Sequence, residues 1–182
     1  MKKFINKHST GLKRSLSFSL VAMMVFSFVF VSSRVPTAKA ATGYYIEFRC
    51  HVQNIGWKSW THGHDCGTTE QSLRLEAIQV RLAGGGVPQG MGITYRAHVQ
   101  NIGWQEWVSD GATAGTTGQR LRLEAFEVNL VSAPVGTSVD YAAHVQNVGW
   151  GYTKTNGETA GTTGQGLRME ALSVDLFSQV IN

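Results

Sequence analysis

With two cysteines and three prolines in 182 residues, the chain lacks the means for a disulfide-rich miniprotein or a collagen-like helix. Charge is also scarce. Only 15% of residues are charged against 42% hydrophobic, a balance that excludes disorder and fits one or two globular domains. Acidic residues are missing from the first 40 positions, which hold seven of the 16 basic residues (Lys2, Lys3, Lys7, Lys13, Arg14, Arg34 and Lys39). Beyond residue 40 the balance is nine basic to 12 acidic. The formal charge of +4 therefore belongs to the N-terminal segment, and gives no support to nucleic-acid binding by the remainder.

That segment has the order of an export signal. Met1 to Arg14 is basic, Leu16 to Val31 is apolar with interspersed serines, and Ala38-Lys39-Ala40 ends it in small residues. This is the pattern of a secretory signal peptide with an A-x-A site, so residues 1–40 are expected to be removed before Ala41. The apolar run spans 16 residues, short of the roughly 20 that a spanning helix needs, which weighs against an uncleaved anchor. The long basic start is like that of Gram-positive export signals. No second apolar run follows, and the chain ends six residues after its last motif. The expectation is a protein released to the extracellular space, or held at the cell surface by what it binds, with no membrane contact after cleavage.

The remainder is one unit written three times. His51-Val52-Gln53-Asn54-Ile55-Gly56-Trp57 recurs from His98 to Trp104 and again, with Val148 for the Ile, from His144 to Trp150. A second block reads Leu73-Arg74-Leu75-Glu76-Ala77, then Leu121 to Ala125, then Leu167-Arg168-Met169-Glu170-Ala171. Between the blocks stands a Gly-Thr-Thr beginning at Gly67, Gly115 and Gly161, one residue closer to its Trp in the first copy. These residues resemble the ChW (clostridial hydrophobic W) repeat over residues 46–82, 93–130 and 139–176. The resemblance implies a secreted protein of the kind found in clostridia and their relatives, discussed as surface, adhesion or cellulosome-like components. It implies no enzymatic activity, no cofactor and no established ligand.

Tyr95, Ala97 and Val99 alternate with Arg96, His98 and Gln100, which predicts a half-buried strand with odd residues inward. Asn101-Ile102-Gly103 reads as a turn. Leu121 and Leu123 begin a second strand, whose inward parity changes to Phe126, Val128 and Leu130; a bulge at Ala125 would account for the change, and a helix from Gln119 to Leu130, where β-branched residues are few, is the competing reading. A unit of about 37 residues is too small to bury its own core, so the copies should pack together. The expected fold is all-β: three repeats of about 46 residues closed with pseudo-threefold symmetry, as in a β-trefoil or β-prism, by architectural analogy. Lectins are common on both.

Trp57, Trp104 and Trp150 occur once per copy and have two readings. Each is a core anchor, or a platform for the apolar face of a sugar with hydroxyls bonded by the neighbouring amides of Asn54, Asn101 and Asn147 or Gln53, Gln100 and Gln146. Trp60 and Trp107 are the preferred contacts, because the third copy has Thr153 there with Tyr152 beside it, and a shared core position should keep its volume. His51, His98 and His144 invite a metal site but alternate with the inward residues, so a surface hydrogen-bonding role is expected and no metal is assigned. Arg74 with Glu76, and their two counterparts, suit ion pairs on one strand face. Three equivalent glutamates lack the asymmetry that hydrolysis uses. His62-Gly63-His64-Asp65-Cys66 occurs only in the first copy. Export, and the alanines that replace both cysteines elsewhere (Ala97 and Ala143, Ala114 and Ala160), point to a Cys50–Cys66 disulfide rather than zinc. The Gly-Thr-Thr-Gly turns lack the lysine of a phosphate loop. The expected function is a secreted, non-catalytic module binding carbohydrate or a cell surface, its partner an extracellular polysaccharide or surface protein. The alternatives are a protein–protein module of a surface assembly and, less favoured, a cell-wall enzyme.

Overall fold

Alternation of apolar and polar residues sets the longest strands, and pairing between them sets the repeat. The structure, a computed structural model, describes residues 43–178. The expected leader and its cleavage site lie outside the described residues. Each repeat has a first long strand, β1 (Tyr44–Val52), β5 (Gly92–Val99) or β10 (Thr137–Val145), and a second, β4 (Leu75–Gly84), β9 (Leu123–Val131) or β14 (Met169–Ser178). The two pair antiparallel along nearly their full length. No helix occurs among the described residues, so the all-β expectation holds.

The His-to-Trp motif is a tight return of the first strand. Val99 pairs with Gly103 and His98 with Trp104 in β6 (Gly103–Trp104), and β2 (Gly56–Trp57) and β11 (Gly149–Trp150) repeat the geometry. The turn needs left-handed backbone at Asn101 (φ 62°) and Gly103 (φ 85°), which asparagine and glycine tolerate best. Two further short strands, β7 (Val108–Ser109) and β12 (Lys154–Thr155), flank β5 and β10, and the first copy has a single Phe48–Thr61 bridge instead.

The phase change in the second strand is a bulge, one residue earlier than the sequence pattern suggests. His98 faces Ala125 and Val99 faces Leu123, so Glu124 is the extra residue rather than Ala125. Glu76 and Glu170 occupy the same place. The glutamate stays on the face of His98 and Arg122, where the next repeat covers it, so Leu123 through Val128 are all buried. Parity could not distinguish the two positions because Ala125 is small enough to fit either face.

The Gly-Thr-Thr segments leave their own repeats. β8 (Ala114–Gly115) joins β4 of the first repeat, β13 (Ala160–Gly161) joins β9 of the second, and β3 (Cys66–Gly67) joins β14 of the third. The result is three antiparallel sheets, each completed by the next repeat in cyclic order, and no sheet closes on itself. One apolar cluster serves all three, with Phe48, Tyr95 and Tyr141 from the first strands against Ile78, Phe126 and Leu172 from the second. Each such side chain contributes about 1.5–3 kcal/mol on burial, and every repeat depends on its neighbours for it.

Candidate functional site

The recurrent tryptophans are neither sealed in the core nor free. Trp57 and Trp104 are half-buried, and Trp150 is 41% exposed. Each stands edge-on to the histidine of its own motif, with ring centroids 5.4, 5.4 and 5.5 Å apart. In the first two copies an arginine from the first strand stacks on both aromatic rings. Arg49 lies 4.9 Å from Trp57 and 4.8 Å from Trp60, and Arg96 lies 4.7 Å from Trp104 and 4.9 Å from Trp107.

A polar residue on the second strand holds each arginine. Arg49 donates to Gln79 at 2.7 Å and Arg96 to Glu127 at 2.7 Å; these in turn meet Thr113 and Thr159 of the following repeat. The third copy has Ala142, Thr153 and Ser173 at the arginine, second tryptophan and polar positions. The whole stack is absent there, and Tyr152, at a position exposed in all three copies, is 91% exposed.

The two preferred contact residues differ. Trp60 carries a second cation, Arg81 at 4.0 Å, so arginines cover it on two counts and it is half-buried. Asn129 replaces Arg81 in the second copy, and Trp107 is 41% exposed with Arg96 alone over its ring. Trp57, Lys58, Ser59, Trp60, Thr61 and Asp65 line an open cleft of about 440 Å³.

The amides belong elsewhere. Asn54 and Gln53 line a different cleft, of about 500 Å³, together with His51, Arg74, Glu76 and, from the second repeat, Gly118 and Arg120. No tryptophan lines it, so in the first copy the amides and the tryptophans open on different clefts. The hairpin separates them: Trp57 pairs back on β1, while Asn54 sits at the turn. Gln53 also has backbone work, since its N–H donates to Arg74 O at 3.0 Å, as those of Gln100 and Gln146 do to Arg122 and Arg168.

This second cleft lies over a repeated charged cluster that sequence parity placed at the surface. Glu76, Glu124 and Glu170 are buried, about 5% exposed or little more. Nε and Nη2 of Arg74 donate to one oxygen of Glu76 at 3.0 and 2.7 Å, and Arg122 and Arg168 do the same to Glu124 and Glu170. Nδ1 of His51, His98 and His144 approaches the other oxygen within 3.1, 3.1 and 3.3 Å, out of hydrogen-bond alignment. The histidines therefore turn to a carboxylate and a ring, and keep only a small edge open to solvent. No local signal marked this burial, because the Gly-Thr-Thr segment of the next repeat covers the outer face at the glutamate.

At the same seam the next repeat zips in. Thr116 N donates to Glu76 O at 2.8 Å, and Thr162 and Thr68 do likewise to Glu124 and Glu170. The N–H groups of Thr68, Thr116 and Thr162 are thus engaged, and Gly115 N donates to the Gln105 side chain.

Cys50 and Cys66 form the expected disulfide, with Cα atoms 5.9 Å apart. His62 stacks on Tyr45 at 4.5 Å, away from any cluster with Cys66, and no group of three metal-type side chains converges among the described residues. Tyr95 and Tyr141, buried where the first copy has Phe48, donate to the carbonyls of Ala112 and Glu158. Burial pushes both phenols up to about 12.

No curated protein and no solved structure matches the chain. A family model described as Clostridial hydrophobic W matches residues 51–84, 98–132 and 144–176. Each match opens at the motif histidine, and so leaves out most of the first strand, which in the first two copies carries the stacking arginine. The three matches span more than half of the sequence, and the chain belongs to the ChW family.

Proposed function

We propose that the protein is a secreted, non-catalytic module that binds carbohydrate of a plant cell wall, host or bacterial surface through its aromatic edges. The observation that carries this reading is Trp107: 41% exposed, yet held from one side by Arg96. A fixed ring with one open face is the platform on which the apolar face of a sugar stacks, and its rigidity limits the entropy lost on binding. Trp150 and Tyr152 extend the surface in the third copy, and the first offers the Trp57–Trp60 cleft with Asp65 as a hydroxyl acceptor. The equivalence of Glu76, Glu124 and Glu170, each taken up by an arginine, supports a binding role over hydrolysis. The cyclic exchange of edge strands supports closure about a pseudo-threefold axis, in the manner of a β-prism or β-trefoil.

The test is a glycan array probed with residues 41–182 and with Trp107→Ala and Trp150→Ala. Loss of glycan signal is expected, with the melting temperature lowered by no more than about 4 °C, since Trp107 gives up one cation–π contact and Trp150 one edge contact with His144. An array on which neither substitution weakens any signal would sink the reading. A second reading, docking to a surface protein, draws on the aliphatic residue exposed at each motif turn, Ile55, Ile102 and Val148. Their exposure, rimmed by polar residues, is the feature that favours a protein partner.

A further inference from the structure

We propose that the cleft between the first and second repeats is a separate site for a carboxylate-bearing sugar, a uronic-acid unit, with Arg120 as its anchor. The cavity, about 500 Å³, lies in the size range of small-ligand sites. Its walls are polar, and no aromatic ring lines it apart from the His51 imidazole, so recognition there runs through charge and hydrogen bonds.

The charges in the cleft do not cancel. Glu76 is taken up by Arg74, with His51 against its other oxygen. Arg120, on the opposite wall, has no ion-pair partner among the described residues. One guanidinium is left over, and its planar fork matches a carboxylate bidentately. The exposed amide of Asn54 supplies both donor and acceptor for ring hydroxyls. His51 Nδ1 is buried against Glu76, so the imidazole meets the cleft through its remaining edge.

Arg120 also occupies backbone that suits glycine. Its φ is 58°, and the third copy has Gly166 at φ 69° in the same place. A non-glycine residue there costs about 1–2 kcal/mol, so the fold alone favours glycine. A side chain at this position points at the charged cluster: a Cβ on Gly166 would come within 3.5 Å of Arg122 Nη2. The other two seams carry no such cation. Gly164 and Gly166 stand at the second seam, and Glu70 and Ser72 supply the third. One site per chain is therefore expected.

Isothermal titration of the secreted chain tests this with tri-galacturonic acid, its methyl-esterified form and inorganic phosphate. Tri-galacturonate should bind with a stoichiometry of one and weaken with added salt; the ester, which removes only the charge, and phosphate should bind at least about tenfold more weakly. Arg120→Gly should lose at least about tenfold in affinity for tri-galacturonate without a lower melting temperature, because it relieves the left-handed arginine. Trp107→Ala should leave this binding unchanged, which separates the site from the aromatic surface. Equal binding of the ester or of phosphate, no uptake of tri-galacturonate, or full affinity in Arg120→Gly would each overturn the proposal.

Discussion

Arginine decides how much of each tryptophan is offered to solvent. Trp60 carries Arg49 and Arg81, Trp107 carries Arg96 alone, and the third copy, with Ala142 and Thr153, has no stack. The replacement of Trp107 by Thr153 was visible as a lost volume, but its cause was not, because Arg96 lies 11 positions away and meets Trp107 only once β5 and β7 pair. The buried tyrosines act at the same scale. Unfolded tyrosine releases its proton near 10, whereas Tyr95 and Tyr141 hold theirs to about 12. As pH rises past 10 the unfolded state loses protons first, so stability present below 10 drains away up to about 12. Urea midpoints measured across this range should fall. Tyr95→Phe with Tyr141→Phe, which copies Phe48, should lower stability at neutral pH by about 1 kcal/mol per lost hydrogen bond and flatten the alkaline decline. An unaltered decline would assign it to other groups.

The short strands show how little chain is needed to join two repeats. β8 is two residues long, yet it completes the sheet of β4 and carries the one glycine the seam requires. Gly115 has φ 105°, and a Cβ on it would lie 2.4 Å from Glu76 O. Gly115→Ala should therefore cost on the order of 2–4 kcal/mol, since backbone rather than a flexible side chain must move. Gly118→Ala is the control: its φ is 73° but nothing lies within 4 Å of the added atom, so about 1 kcal/mol is expected. Thermal unfolding of the two variants gives the comparison, and equal losses would mean that the seam is not tightly closed. The long strands, by contrast, were legible from Tyr95, Ala97 and Val99, whose alternation depends only on the period of extended backbone.

The cyclic exchange makes the first and last repeats partners, and this closing seam is built unlike the other two. Gly111 N donates to Val80 O and Gly157 N to Val128 O, each at 2.7 Å, alongside the tyrosine hydroxyls. The seam between β14 and β3 has no counterpart of these bonds among the described residues, and Phe48 lacks the hydroxyl. The Cys50–Cys66 disulfide stands there instead, tying β3 to β1. Cys50→Ala with Cys66→Ala keeps side chains that the other copies tolerate, so packing survives while the cross-link is lost. A cost of about 3 kcal/mol is expected for a loop of this size. Hydrogen exchange should accelerate first in β3 and β14. Uniform acceleration across all three seams would show that the disulfide guards no particular one.

The repeats, their strand periodicity and the paired replacement of alanine by cysteine were determined by the sequence alone, because each is a comparison between aligned positions or a local period. So was the family, which rests on the motifs from His51 to Trp57 and Leu73 to Ala77. Tertiary structure alone decided which repeat each Gly-Thr-Thr segment joins, since a two-residue strand carries no record of its partner. It alone moved the bulge to Glu124, buried that carboxylate against Arg122 and His98, and parted the amides of Asn54 and Gln53 from the tryptophans. Parity along one strand assigns a face. A bulge resets it, and only the partner strand shows which residue has been left unpaired.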